Sequence, residues 1–357
     1  MVVVGVDSHK RTHTVVALDQ VGRGLGEKTA ATTSEGHLAL VRWADRWPQV
    51  TFALEDCRHL TRRLEQDLLA AGKPVVRVPT RLMAGARRAS RQPGKSDPID
   101  AEAVALAALR HRDLPAAELD GPAREVKLLA DYRRDLVRQR TRVQNQLRWY
   151  LHELDPALDI PPRGLRRYRV IDELASRLRS FDGVVARLAR VLVDRCRELT
   201  AQINSLEAEL RPLVRRLAPS LLAIPGCAVL SAAVILGETA GAARFRSKDA
   251  YARFTGTAPI PVWSGNPGKV RLNRGGNRTV NCALHMIAVT QARGIGPGKD
   301  YADRLIARGK TRTEAIRLLR RRLSDTVFAA LRADERARQA APSTPAAATS
   351  TGVSEAA

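Results

Sequence analysis

VVVGV (2–6) and HTVVAL (13–18) are apolar runs of strand length with only a turn between them. That gap is too short for the crossover that a parallel pair needs, so the two runs are read as antiparallel neighbours. GLGEKTAAT (24–32) follows another short turn and extends the meander to a third strand. Then the pattern changes. SEGHLALVRWADRW (34–47) has apolar residues at helical spacing behind a serine cap, and VTFALE (50–55) is again a strand. HLTRRLEQDLLAAG (59–72) reads as a helix closed by glycine, and PVVRVP (74–79) as a strand. A meander that gives way to alternating helices and strands constrains this region to a sheet with helices on its faces.

GKSDPIDAEAVALAAL (94–109) predicts a buried helix that opens with two acids, Asp97 and Asp100. Helix capping and the helix dipole account for one acid in a first turn, and Pro98 suits the first helical position. The second acid lies three residues on, on the same helix face. Two more acids end strands: Asp7 in GVDSHK and Glu55 in FALEDC. Strand ends lie at one rim of a sheet, where sites in α/β folds form. Four ionised carboxylates need cations, and two divalent metals about 4 Å apart would neutralise them and activate a phosphodiester. Oxygen donors suit Mg²⁺. A meander with an acid on strand one, an acid on strand four and acids on a later helix is the ribonuclease-H-like layout, and it resembles the RuvC arm of that superfamily. The neighbours of these acids read as structural. His9 and His13 are surface residues at a strand turn, Ser8 caps, Asp56 points away by strand alternation, and Glu102 faces away from Asp100.

Residues 123–217 read as long helices. Leu192, Cys196, Leu199, Ile203, Leu206, Leu210, Leu213 and Leu217 form a heptad seam. A looser one runs through Leu129, Tyr132, Leu136, Gln139, Val143, Leu147, Tyr150 and Leu154, and PPRGLRRYR (161–169) connects the two. An intramolecular hairpin and a coiled coil that also pairs protomers both satisfy this spacing, and the length of the seam favours pairing. LLAIPGCAVLSAAVILGET (221–239) suggests a helix-hairpin-helix, whose helix start can hold a phosphate, or a plain turn between core helices. TGTAPIPVWSGNPGKVRLNRGGNR (255–278) is a Gly/Pro-rich loop in which Lys269, Arg271, Arg274 and Arg278 could hold phosphate. Residues 334–357, rich in Ala, Ser, Thr and Pro, are expected to be a disordered tail.

The chain has 357 residues and a formal net charge of +23, which points to a polyanionic partner and above all to nucleic acid. No run is long and apolar enough to span a membrane, and the N-terminus lacks a signal-peptide layout. The four scattered cysteines have no metal-ligand spacing and suit a reduced cytoplasm.

GVDSHKRTH, FALEDCRHL and GKSDPIDAEAVA resemble the N-terminal blocks of the DEDD transposases of the insertion sequence 110 family, with its 1111 subgroup and the related pilin-gene DNA invertases. AIPGCAVLSAAVIL, AYARFTGTAPIPVWSG and GGNRTVNCALHMIA resemble that family's C-terminal domain. The resemblance implies a RuvC-like metal domain (1–115), coiled-coil helices (120–217) and a mostly helical transposase domain (218–333). It carries the family's Mg²⁺ site onto Asp7, Glu55, Asp97 and Asp100, and its nucleophilic serine onto Ser264. It further implies attack of that serine on DNA to leave a phosphoserine link, a homo-oligomer of two to four chains, and an element-encoded bridge RNA that pairs with donor and target DNA. Such an enzyme would work in the bacterial cytoplasm, at the nucleoid. RFTGTAP before Ser264 departs from the family's usual stretch. A hydrolytic RuvC-like nuclease or junction resolvase would need the acids but not Ser264. A non-catalytic nucleic-acid-binding protein would need neither, and an invertase would sit beside the segment it inverts.

Overall fold

The computed structural model describes residues 1–80, 82–83, 96–111, 114, 116–117, 119, 121–158, 160–262, 270–273 and 275–340. They divide into two compact units, Met1–Gly121 and Pro122–Ala357.

The first unit is built on a five-stranded mixed sheet. Strands β1 (Val2–Ser8), β2 (Thr12–Leu18) and β3 (Gly24–Ala31) form the antiparallel meander. Strands β4 (Val50–Glu55) and β5 (Val75–Val78) run parallel to β1, giving the order β3-β2-β1-β4-β5. These are the order and directions of the expected ribonuclease-H-like layout. Helices α1 (Ser34–Ala44) and α2 (Arg58–Ala70) cover one face, burying Val4, Val6, Val15, Ala17, Phe52 and Leu54. Helix α3 (Asp97–Arg110) covers the other over Val3, Val16, Leu18, Ala53 and Val78. Burial on both faces is why β1, β2 and β4 read as unbroken apolar runs. The cap of α1 is Thr33, whose hydroxyl accepts from the Gly36 amide at 3.2 Å, so the expected serine cap lies one residue too far on.

In the second unit, α4 (Ala123–Leu154) and α6 (Gly183–Leu217) form an antiparallel hairpin, with α5 (Tyr168–Arg177) packed at its closed end. The α6 seam faces α4 of the same chain: Cys196, Leu199, Ile203, Leu210 and Leu217 are all buried. The expected seam of α4 needs correction. Tyr132 and Gln139 are exposed, and Arg140 is buried instead, donating to the Thr200 hydroxyl at 3.1 Å. The covered stripe of α4 follows its neighbours rather than a strict heptad, because Val126 and Ala130 also meet the next helices of the unit.

Those helices are α7 (Pro219–Leu222), α8 (Val229–Thr239), α9 (Lys248–Phe254), α10 (Arg278–Ala292), α11 (Gly298–Ala307) and α12 (Arg312–Ala340). A two-stranded ribbon, β6 (Ile260–Pro261) and β7 (Val270–Arg271), precedes α10. The Pro-Gly turn before α8 lies against α10: Gln291 donates to the Pro225 carbonyl at 2.7 Å, and Gly226, at φ 81°, sits over Thr290. Helix α12 runs to Ala340, so residues 334–340 are helix and not the start of a disordered tail. Asp334 accepts from the Ser220 amide at 3.2 Å, and Glu335 accepts from the amides of Ala242 and Ala243. These bonds hold the last turns of α12 against the unit. The rest of the expected tail, 341–357, lies outside the described residues. Among the described residues no helix is long and apolar enough to cross a membrane.

Candidate metal centre

Register and alternation place Asp7 and Glu55 at adjoining strand ends. β1 and β4 pair in parallel up to Val6 and Leu54, and the next residue on each strand is Asp7 and Glu55. Val3, Gly5 and Asp7 alternate onto the α3 face, as do Ala53 and Glu55. Helix α3 can approach because residue 5 is glycine: a β-carbon there would lie 2.1 Å from the Ala101 carbonyl oxygen. Small residues on the facing side (Ala101, Ala105) complete the close packing. The first turn of α3 is thereby set over the end of β1. Asp100 is buried, and Asp97 is half-exposed.

His9 bridges the two elements. Its Nε2 lies 3.1 Å from Asp7 Oδ2 and 3.2 Å from Asp97 Oδ1. One donor atom from each of Asp7, His9 and Asp97 falls within 4.8 Å of the others. Burial raises the Asp7 pKa above the usual carboxylate range, and Asp100 and Asp97 add to that, while His9 opposes it. The Asp7 carboxylate, with Asp97, raises the pKa of His9. Burial and the neighbouring acids thus disfavour the charged form of Asp7, and the His9 ring opposes them.

His9 is the exposed histidine at a strand turn that the sequence indicated, and its ring also reaches Asp7 and Asp97. The same reading of His13 is corrected by burial: His13 is 1% exposed against His37, and burial lowers its pKa to about 4. Asp56 is exposed beyond the end of β4. Arg271 and Arg278 are exposed in the second unit, at the end of β7 and the start of α10. Ser264, Lys269 and Arg274 lie outside the described residues.

Residues 4–156 match a family model described as Transposase, that of the IS110 DEDD transposases, and residues 218–302 match one described as Transposase IS116/IS110/IS902 family. The 43.6 kDa protein of insertion element IS110 from Streptomyces coelicolor is 31% identical over 308 residues, covering 70% of this chain and 74% of the relative. The chain belongs to the IS110 transposase family. Two other relatives span nearly the whole chain. The insertion element IS116 protein of Streptomyces clavuligerus is 28% identical over 92% of this chain and 94% of its own length. The insertion element IS900 protein of Mycobacterium paratuberculosis is 29% identical over 92% and 95%. A solved structure of RuvC from T. thermophilus in complex with a Holliday junction substrate aligns over 31% of this chain and 95% of its own, with 18% identity and a TM-score of 0.26. As a member of the IS110 family, the protein is a DNA transposase.

Proposed function

We propose that this IS110 transposase cuts and rejoins DNA through a covalent phosphoserine. Asp7, Glu55, Asp97 and Asp100 would hold Mg²⁺ in a RuvC-like metal domain (1–115), and Ser264 would be the nucleophile of the C-terminal domain (218–333). The observation that carries this is the convergence of Asp7, Asp97 and His9 beneath the first turn of α3. The donors fit a hard cation: carboxylate oxygens dominate, and burial with neighbouring acids disfavours the Asp7 carboxylate, which a cation would relieve. A bound metal supplies Lewis-acid polarisation of the phosphodiester, and a pair of ions would use all four acids.

In the transfer step Ser264 Oγ attacks phosphorus and loses its proton to a base. One Ser–O–P ester bond forms, one P–O bond of the DNA strand breaks, and the displaced end leaves as a hydroxyl. Attack by a second strand's hydroxyl reverses the exchange and frees the serine. The count of ester bonds is conserved, so ATP is not needed. Lys269, Arg271, Arg274 and Arg278 would hold phosphate beside the serine. In the same reading an element-encoded bridge RNA selects donor and target DNA, and a homo-oligomer, a dimer up to a tetramer, assembles composite sites at the bacterial nucleoid.

The test is a denaturing gel of wild type and Ser264→Ala with Mg²⁺, labelled donor and target DNA, and RNA transcribed from the element's flanks. A covalent protein–DNA band in wild type alone supports serine transfer. Cleavage by both proteins with no such band replaces it with hydrolysis at the acids.

A further inference from the structure

We propose that a cavity of about 380 Å³ between the first turns of α10 and α12 is a binding site for a backbone phosphate of a nucleic-acid strand. This inference rests on the transposase handling nucleic acid and is independent of the chemistry at Ser264.

Arg278, Asn281, Cys282 and His285 come from α10, and Arg317 and Arg320 from α12. Three guanidinium groups thus share one cavity, and none of its described lining residues is acidic. Two other arginines withdrawn from solvent have carboxylate partners, whereas Arg140, against the Thr200 hydroxyl, has a neutral one. Arg77 forks onto Glu65 with both distances 2.6 Å, and Arg133 donates to Glu207 at 2.6 and 2.9 Å. Arg320 instead donates to the neutral amide oxygen of Asn281 at 2.9 Å. Asn281 is itself fixed by donating to the Thr255 carbonyl at 2.8 Å. The guanidinium is therefore held in place by a neutral partner, with no carboxylate paired to it among the described residues. Its Nε is buried and has no hydrogen-bond partner among the described residues.

The electrostatics agree with the geometry. Burial, then Arg317 and Arg278, lower the pKa of Arg320, and burial and Arg320 lower that of His285. Like charges gathered without a counter-ion are unfavourable, and a fixed, planar fork is suited to an oxyanion. A phosphodiester would accept from Arg320 while Arg278 and Arg317, both exposed, close over it.

Cys282 makes the site testable. It lines the cavity and is exposed, whereas Cys57 is half-buried and Cys196 and Cys227 are buried. Alkylation of Cys282 in the folded full chain, read by peptide mass spectrometry, reports access to the cavity. The probes are a single-stranded DNA oligonucleotide and the RNA of the same sequence. Each is used at about ten times its Kd by fluorescence anisotropy, where occupancy should slow labelling about tenfold. Arg317→Gln, an exposed position, should restore fast labelling and lower the salt slope of binding by about 0.7. Arg187→Gln, exposed on α6, should behave as wild type. Protection by DNA alone assigns the phosphate to the exchanged strand, and protection by RNA alone to a guide. Fast labelling in saturated wild type overturns the proposal, as does equal protection in Arg317→Gln.

Discussion

Gly5 and Ala101 meet backbone to backbone. A β-carbon on Gly5 would stand 2.1 Å from the Ala101 carbonyl oxygen and 2.5 Å from the Ala105 amide nitrogen. This contact sets the height of α3 over β1, and with it the separation of Asp97 and Asp100 from Asp7. Gly5→Ala must therefore lift the helix. The expected cost is about 1–3 kcal/mol or more, as for other overpacked cores, seen as a lower denaturation midpoint. Metal-dependent cleavage should fall further than stability does, since the acids are displaced even in the folded fraction.

Proton and metal should compete at His9. Asp7, with Asp97, raises its pKa in the folded protein, so its favourable contribution is complete below the ordinary histidine value and fades as pH rises through the raised one. NMR titration of the His9 ring should show that raised pKa. Mg²⁺ should lower it, and apparent Mg²⁺ affinity should increase as His9 deprotonates. A His9 titration indifferent to saturating Mg²⁺ would place the metal elsewhere.

Asp100 and Glu102 share a helix turn but not a face. Asp100 is buried and, after burial itself and His9, is the next largest influence on the Asp7 pKa, which it raises; Glu102 is partly exposed. Asp100→Asn keeps the side chain's shape and removes a charge that raises the Asp7 pKa. Strand cleavage should drop by at least the roughly 10–100-fold that even outer-shell partners of metals cost. Glu102→Gln should cleave as wild type does. Equal activity of the two variants counts against a role for Asp100.

His13 should make the first unit acid-sensitive. It is 1% exposed, and burial brings its folded pKa to about 4, below the ordinary histidine value of 6.5. The unfolded chain binds the proton first, so stability is complete above the unfolded value and falls as pH drops towards the folded one. The loss should be on the order of 2–3 kcal/mol by pH 4. His13→Leu should flatten that part of the stability–pH curve measured by denaturant unfolding.

Arg140 is buried in the helical hairpin with the Thr200 hydroxyl as its hydrogen-bond partner, and burial lowers its pKa. Thr200 still donates to the Cys196 carbonyl at 2.8 Å if the guanidinium is removed. Arg140→Met should therefore match or exceed wild-type stability, because a desolvated charge is replaced by apolar volume. A clear loss would mean that the guanidinium does more for the hairpin than its desolvation costs.

Periodicity and spacing were enough to read the sheet. Short gaps required the antiparallel meander, and their positions at strand ends put Asp7 and Glu55 at one rim of the sheet. The quoted helix ran from Asp97 as its proline and two acids indicated. These are local properties, written in each residue and its near neighbours.

Other features needed the folded chain. His9 became part of the site because α3 brings Asp97 to it, a contact between residues far apart in sequence. Tyr132 and Gln139 left the expected seam, and Arg140 entered it, because the stripe a helix buries is chosen by what packs against it. The last turns of α12 stay helical through bonds to Ser220, Ala242 and Ala243 that no pattern in that segment announces. The arginine cavity has the same origin: Arg317 and Arg320 are unremarked members of a very basic chain, and join Arg278 of the basic loop, only once α10 and α12 pack together. The sequence by itself determined which segments become strands and most of the helices, because chain geometry and water act on each segment locally. Tertiary structure alone decided which side chains share a site, because that depends on the distances at which separately formed elements come to rest.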